Sequence, residues 1–228
     1  MEIFIFVGFL ALIIILAYFA HRQAARRRNE LTALAARMGW TFRSDNDGTL
    51  AERFGSPRCL EQGSNRYAYN VLEGRFRDRA VCAFDYHYET YSTDSKGNRQ
   101  TNHHQFSVAV LVTGLPLKPL LIRPEGFFDR IGEFFGMDDI DFESNQFSRE
   151  FHVTSPDRRW AFDVIHQATM EFLLDAPRFT VELHGPRVLV YRGRCFEPAE
   201  FETAIGLADG IINRLPNYLL TEWKGATR

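Results

Sequence analysis

Residues 66–91 read RYAYNVLEGRFRDRAVCAFDYHYETY. Two runs, Arg66 to Phe76 and Ala80 to Tyr91, are rich in Tyr, Val and Phe, and the charged triplet Arg77-Asp78-Arg79 separates them. Aromatic and β-branched side chains suit a pleated surface, so two such runs around a short polar break predict a hairpin.

Further strand and helix signals flank this pair. Trp40 to Arg43 predicts a short strand before it, Phe106 to Thr113 a third strand and Leu120 to Arg123 a fourth. Pro124 is placed to open a helix bearing Phe127, Phe128, Ile131, Phe134 and Phe135, closed by Gly136. Ile140, Phe142 and Phe151 to Thr154 read as strand pieces. Ser155 and Pro156 suit the cap and first position of a helix whose stripe runs from Trp160 to Leu173. Phe179 to Leu183 and Val188 to Tyr191 predict a second hairpin around His184-Gly185-Pro186. Pro198 starts a helix in which Phe201, Ala204, Ile205, Ala208, Ile211 and Ile212 recur at three- and four-residue steps, and Pro216 stops it. Strands cluster first and helices do not alternate with them. The fold class this predicts is α+β, an antiparallel sheet packed by helices.

The amino-terminal end differs from all of this. From Ile3 to Ala20 there is no charge, and as a helix this stretch spans about 27 Å, enough to cross a hydrocarbon core. A cleaved signal would carry a basic leader and small residues at the cleavage site, but only Met1 and Glu2 precede the run and Tyr18 spoils the best site. Arg22, Arg26, Arg27 and Arg28 follow as a basic collar. The expectation is a single transmembrane helix with its collar over residues 1–28. A cytoplasmic α+β domain occupies residues 29–228, with the amino terminus outside and the collar touching anionic lipid. Three widely spaced cysteines, Cys59, Cys82 and Cys195, fit free thiols in a reducing compartment. No proline or glycine interrupts the extension to Met38, where Leu31, Leu34, Ala35 and Met38 share a side that rests on the sheet or pairs with a second copy.

The charge balance narrows the partners. Four of the 27 Lys and Arg residues, but only one of the 29 Asp and Glu, lie in the first 28 positions, so the remainder is net acidic. A nucleic-acid-binding domain is expected to be basic. Partners are therefore membrane lipids, through the helix, and a protein.

Asp85-Tyr86-His87-Tyr88-Glu89 is the stretch richest in chemistry. Alternate strand residues share a face, so Asp85, His87 and Glu89 project together, and His103 and His104 precede the next strand. Imidazoles and carboxylates so grouped bind zinc, iron or manganese. The competing reading is a strand with one wet face. Ser92 to His104, without a large apolar residue, reads as a long loop, either a solvated flexible one or, with Lys96, Arg99 and the two histidines, a dock for an anion or acidic partner. Asp138 to Glu143 offers clustered carboxylates, though Ile140 and Phe142 alternate with them as on a half-exposed strand. Ser44 to Gly48 lacks the acid an EF-hand frame needs at Arg43. No phosphate loop, GxSxG elbow, HExxH or kinase signature occurs, and no cofactor is implied.

Asp139-Ile-Asp-Phe-Glu143, Phe147-Ser-Arg-Glu-Phe151-His-Val153 and the stretch Trp160 to Leu174, with Phe84-Asp-Tyr86 and Leu115-Pro116 earlier, resemble bacterial membrane-associated proteins that carry a domain of unknown function. The resemblance spans most of residues 29–228 and implies a single-pass bacterial protein with no catalytic residues to carry over. The function expected is a non-catalytic interaction or sensing module at the cytoplasmic membrane face. The alternative is a metal-dependent enzyme or ligand-binding domain using Asp85, His87, Glu89 and His103 or His104.

Overall fold

The computed structural model describes residues 2–55, 57–126 and 139–226. The fold is α+β: an antiparallel sheet packed by helices, with one long apolar helix at the amino-terminal end. That helix, α1 (Glu2–Met38), runs unbroken for 37 residues, or about 55 Å. It is long and apolar enough to cross a membrane, and Phe6, Phe9, Leu12, Ile14, Leu16 and Phe19 are all exposed. Its last three turns behave differently. Leu31, Leu34 and Ala35 are buried in the larger core and Met38 packs against it, so this stripe rests on the chain's own sheet.

After α1 come β1 (Thr41–Arg43), β2 (Ser64–Phe76), β3 (Arg79–Thr93) and β4 (Arg99–Pro124), each antiparallel to the one before. The hairpin expected at Arg77-Asp78-Arg79 forms, with Arg77 in the left-handed region at φ 54°. Arg77 and Arg79 both pair with Asp209, which fastens the hairpin to a later helix. Close packing fixes the start of this sheet. The Trp40 indole lies over Gly74 and donates from Nε1 to the Arg75 carbonyl at 2.9 Å. A Cβ at Gly74 would stand 2.6 Å from Trp40 Cγ. Gly74→Ala is therefore expected to destabilise the chain by about 2 kcal/mol, read as a lowered denaturation midpoint. An unchanged midpoint would mean that the indole has room to move.

β4 is the spine of the sheet. Its first half lies between β3 and the end of β6 (Thr180–Tyr191), and its second half between the start of β6 and β5 (Phe151–Thr154). Two expectations change here. Phe106 to Thr113 and Leu120 to Arg123 belong to one strand, and Phe179 to Tyr191 does not fold into a hairpin. Gly185, at φ 54°, pairs with Leu117 where the β4–β6 register shifts, Gly114 of β4 at φ 69° falls in the shifted stretch, and the two strands pair on both sides of it. The polar stretch Ser92 to His104 is likewise not a long loop. It extends the β3–β4 ribbon, with Thr93 paired to Arg99 around a tight turn in which Asp94 Oδ1 accepts from the Lys96 and Asn98 backbone.

Among the described residues the remaining α-helices are α2 (Asn145–Glu150), α3 (Arg158–Val164), α4 (Gln167–Asp175), α5 (Pro198–Ile212) and α6 (Asn217–Ala226). The helix expected from Trp160 to Leu173 is two. Asp157, not Ser155, caps α3 by accepting from the Trp160 N–H. The chain then turns at Ile165 and His166, where a hydrogen bond between His166 Nε2 and the Arg214 carbonyl holds the corner at 2.8 Å. Ile140 and Phe142 are buried but lie outside any strand. The helix expected after Pro124 falls on residues outside those described. Both sheet faces are covered: the larger core meets α1, α3, α4 and α5, and a smaller one lies beneath the segment that carries Leu50, Phe54, Cys59 and Leu60.

Candidate functional site

Strand register decides what the residues of β3 touch. Asp85 pairs with Ser107, His87 with Gln105, and Glu89 with His103, so these six share one sheet face. Tyr86 and Tyr88 point to the smaller core, and so does His104, the partner of Tyr88. The His104 ring stacks on Tyr88 at 4.6 Å, and its Nε2 meets Thr90 Oγ1 at 2.8 Å. The five expected ligands therefore separate. His87, Glu89 and His103 converge, His104 lies on the opposite face, and Asp85 belongs to another set of contacts.

That other set reaches into α1. Asp85 is fully buried and takes a two-pronged ion pair from Arg27, with Nε at 2.8 Å and Nη2 at 2.6 Å. Ser107 Oγ donates to it at 2.5 Å and Asn70 Nδ2 at 2.8 Å. Arg27 Nη1 also donates to the Phe196 carbonyl at 2.8 Å. Such a planar fork satisfies the carboxylate and fixes its angle. Asn70 reaches inward because a β-bulge in β2 places it in the left-handed region, φ 51°. Arg27 is thus drawn out of the basic collar into the fold, whereas Arg22, Arg26 and Arg28 remain exposed. Beside this clasp a cleft of about 700 Å³ opens between α1 and the sheet, bordered by Gln23, Ala24, Arg28, Tyr69 and Gln105.

The second group lies further along the same face. His87 Nε2 and His103 Nδ1 are 3.2 Å apart, and His103 Nδ1 stands 3.4 Å from Glu89 Oε1. His87 is buried, its ring stacked on Tyr67 at 4.6 Å, and its Nδ1 faces the Asn65 carbonyl at 3.1 Å. Asn65 Nδ2 donates to Glu89 Oε1 at 2.6 Å and Tyr91 donates to Oε2 at 3.3 Å. The Asn65 amide, with the neighbouring imidazoles, holds the Glu89 carboxyl below its ordinary range. Asn65, Tyr67, Asn70 and Ser107 carry no motif. Their parts arise from register and from the bulge.

A third buried group stands apart from both. Glu182 on β6 is 4% exposed, and burial pushes its carboxyl up to about 7, with Arg58 opposing and Glu61 adding to the rise. Of the acidic run, Asp138 lies outside the described residues, and Asp139 is engaged by His152 Nδ1 at 2.7 Å and by the Val153 N–H at 2.8 Å.

No protein-family model and no curated protein matches the chain. Among solved structures, the fold is similar to the crystal structure of the mycobacterial trehalose monomycolate transport factor A, TtfA, with a TM-score of 0.60 and 16% sequence identity. The likeness covers 86% of this chain and 97% of that one. At that identity it concerns the fold.

Proposed function

We propose that this chain is a single-pass, membrane-anchored interaction module without catalysis of its own, its folded body at the cytoplasmic face of a bacterial plasma membrane. One observation carries the reading: the apolar helix enters the folded body unbroken and is locked there by Arg27 closing on a buried Asp85. A flexible tether would let the domain tumble. This mounting sets which edge of the sheet faces along the membrane, a constraint that serves a partner embedded in the same bilayer.

Supporting observations point the same way. The exposed Arg22, Arg26 and Arg28 ring the helix at its exit, and the positive-inside rule keeps that end in the cytoplasm, where anionic headgroups attract it. Cys59, Cys82 and Cys195 are all free thiols. The net acidity of the body argues against nucleic acid as a partner. The structural neighbour is named as a transport factor, and a rigidly mounted accessory protein of a membrane transport system fits this fold.

Crosslinking in native membranes, followed by affinity capture through a carboxyl-terminal tag, tests the proposal. The same integral membrane partner should be recovered in every repeat, and lost when the tagged chain carries only residues 1–28. A fluorescent protein fused at the carboxyl terminus should fluoresce, while alkaline phosphatase at that position stays inactive. Recovery of nothing above the anchor-only control, or the reverse pattern of fusions, would sink the reading.

A further inference from the structure

The geometry points to a divalent metal site of the zinc class, built from His87 Nε2, His103 Nδ1 and Glu89 Oε1, with a fourth position open to an external donor. Nothing in the membrane-module reading requires it, and either can fail without the other.

The three ligand atoms all lie within 4.8 Å of one another. Their two closest separations, 3.2 and 3.4 Å, match the edge of a tetrahedron whose metal–ligand bonds are about 2.0–2.1 Å, for which the edge is about 3.3 Å. Two of the three edges therefore already have the length that a tetrahedral site needs, and the third is within 4.8 Å. The positions are set by register: Glu89 and His103 are directly opposite on β3 and β4, and His87 lies on the diagonal from His103.

The supporting contacts are those a metal site needs. A ligating histidine commonly donates its other ring N–H to a backbone carbonyl, which fixes the tautomer and aims the free lone pair. His87 has that partner in the Asn65 carbonyl, and the Tyr67 ring holds the plane of the imidazole. Its Nε2 lone pair then points into the group. Glu89 is oriented by Asn65 and Tyr91, one donor to each carboxylate oxygen. Asn65 thus orders two of the three ligands from a single left-handed position, φ 47°. A wet strand face chosen only for solubility has no need for this double support.

Two imidazoles and one carboxylate favour zinc and its first-row neighbours over magnesium or calcium, which prefer oxygen. His103 is the outermost ligand, its side chain 62% exposed, so the fourth position faces solvent. A three-ligand site of this kind holds a water or takes a donor from another molecule.

The test uses the full chain purified in detergent without a polyhistidine tag and stripped by a chelator. Zinc added against a chromophoric competitor should bind at one equivalent per chain, and cobalt(II) should give the intense visible absorption of four-coordination. His87→Ala and His103→Ala should each weaken zinc at least about tenfold, and Glu89→Gln should do so by a similar factor. His103 is exposed, so His103→Ala keeps the test alive even if His87→Ala fails to fold. His104→Ala should leave binding unchanged. The proposal is overturned by zinc binding that survives His103→Ala, by binding lost instead on His152→Ala, or by no uptake below about 100 μM zinc.

Discussion

Asp85→Ala is expected to cost about 3–5 kcal/mol of stability, the largest loss for any single polar substitution proposed for this chain. The physical reason is asymmetry. With Asp85 present, Arg27 has a fork of two short bonds to a fully buried carboxylate, and Ser107 and Asn70 fill the remaining acceptor sites. Removing the carboxylate leaves the guanidinium half-buried with only the Phe196 carbonyl and Ser107, and leaves Asn70 without its acceptor. Arg27→Ala should cost a comparable amount, since it strands a buried charge. A paired Arg27→Met, Asp85→Leu replacement should recover much of either loss, because an ion pair and a well-packed apolar pair differ little in net stability. Chemical denaturation of the full chain in detergent, analysed as a double-mutant cycle, measures the coupling. Additive losses from the two single variants would mean that the clasp does not hold the helix to the sheet.

The clasp also marks where sequence reading reached its limit. Strands β2 and β3 were legible because their aromatic and β-branched runs flank one charged turn, and α5 because its apolar residues repeat at helical spacing. The four arginines of the collar look alike in sequence. Only the fold that brings Asp85 against Arg27 separates one of them from the three that stay exposed. The same limit applies to His103 and His104. Adjacent in sequence, they lie on opposite faces of a strand, and the face of each depends on pairing that begins at Ala80 and Val112.

Other misreadings have one source, a signal shared by two structures. Gly185 and Pro186 mark a hairpin turn and an irregular point within one strand equally well, and pairing with β4 on both sides of them selects the single strand. Residues 92–104 have no apolar alternation because both faces of the ribbon's end are exposed, so a paired strand there resembles a loop. The break at Ile165 and His166 has neither proline nor glycine to announce it. Its cause is a carbonyl on Arg214, 48 residues away.

Glu182→Gln is expected to raise stability at pH 8 by about 3 kcal/mol and to leave it nearly unchanged at pH 4. Glu182 is buried on β6 next to Arg58 and Glu61, and its carboxyl holds a proton until about pH 7, against about 4.5 in the unfolded chain. Below pH 4.5 both states are protonated and the group costs nothing. Between pH 4.5 and 7 the unfolded state ionises first, so each rise in pH favours unfolding and stability falls. Above pH 7 both states are ionised and the full penalty of a buried carboxylate persists. Glutamine matches the shape of the protonated side chain and carries no charge at any pH, so it removes the penalty where it is greatest. Thermal melts of both chains across pH 4–8 should coincide at the acid end and diverge above pH 5. The variant should melt roughly 5–10 °C higher at pH 8. Parallel curves would place the ionised Glu182 in contact with water or a cation. A lower melting temperature for the variant at pH 8 would mean that the carboxylate is a stabilising partner of Arg58 across the smaller core.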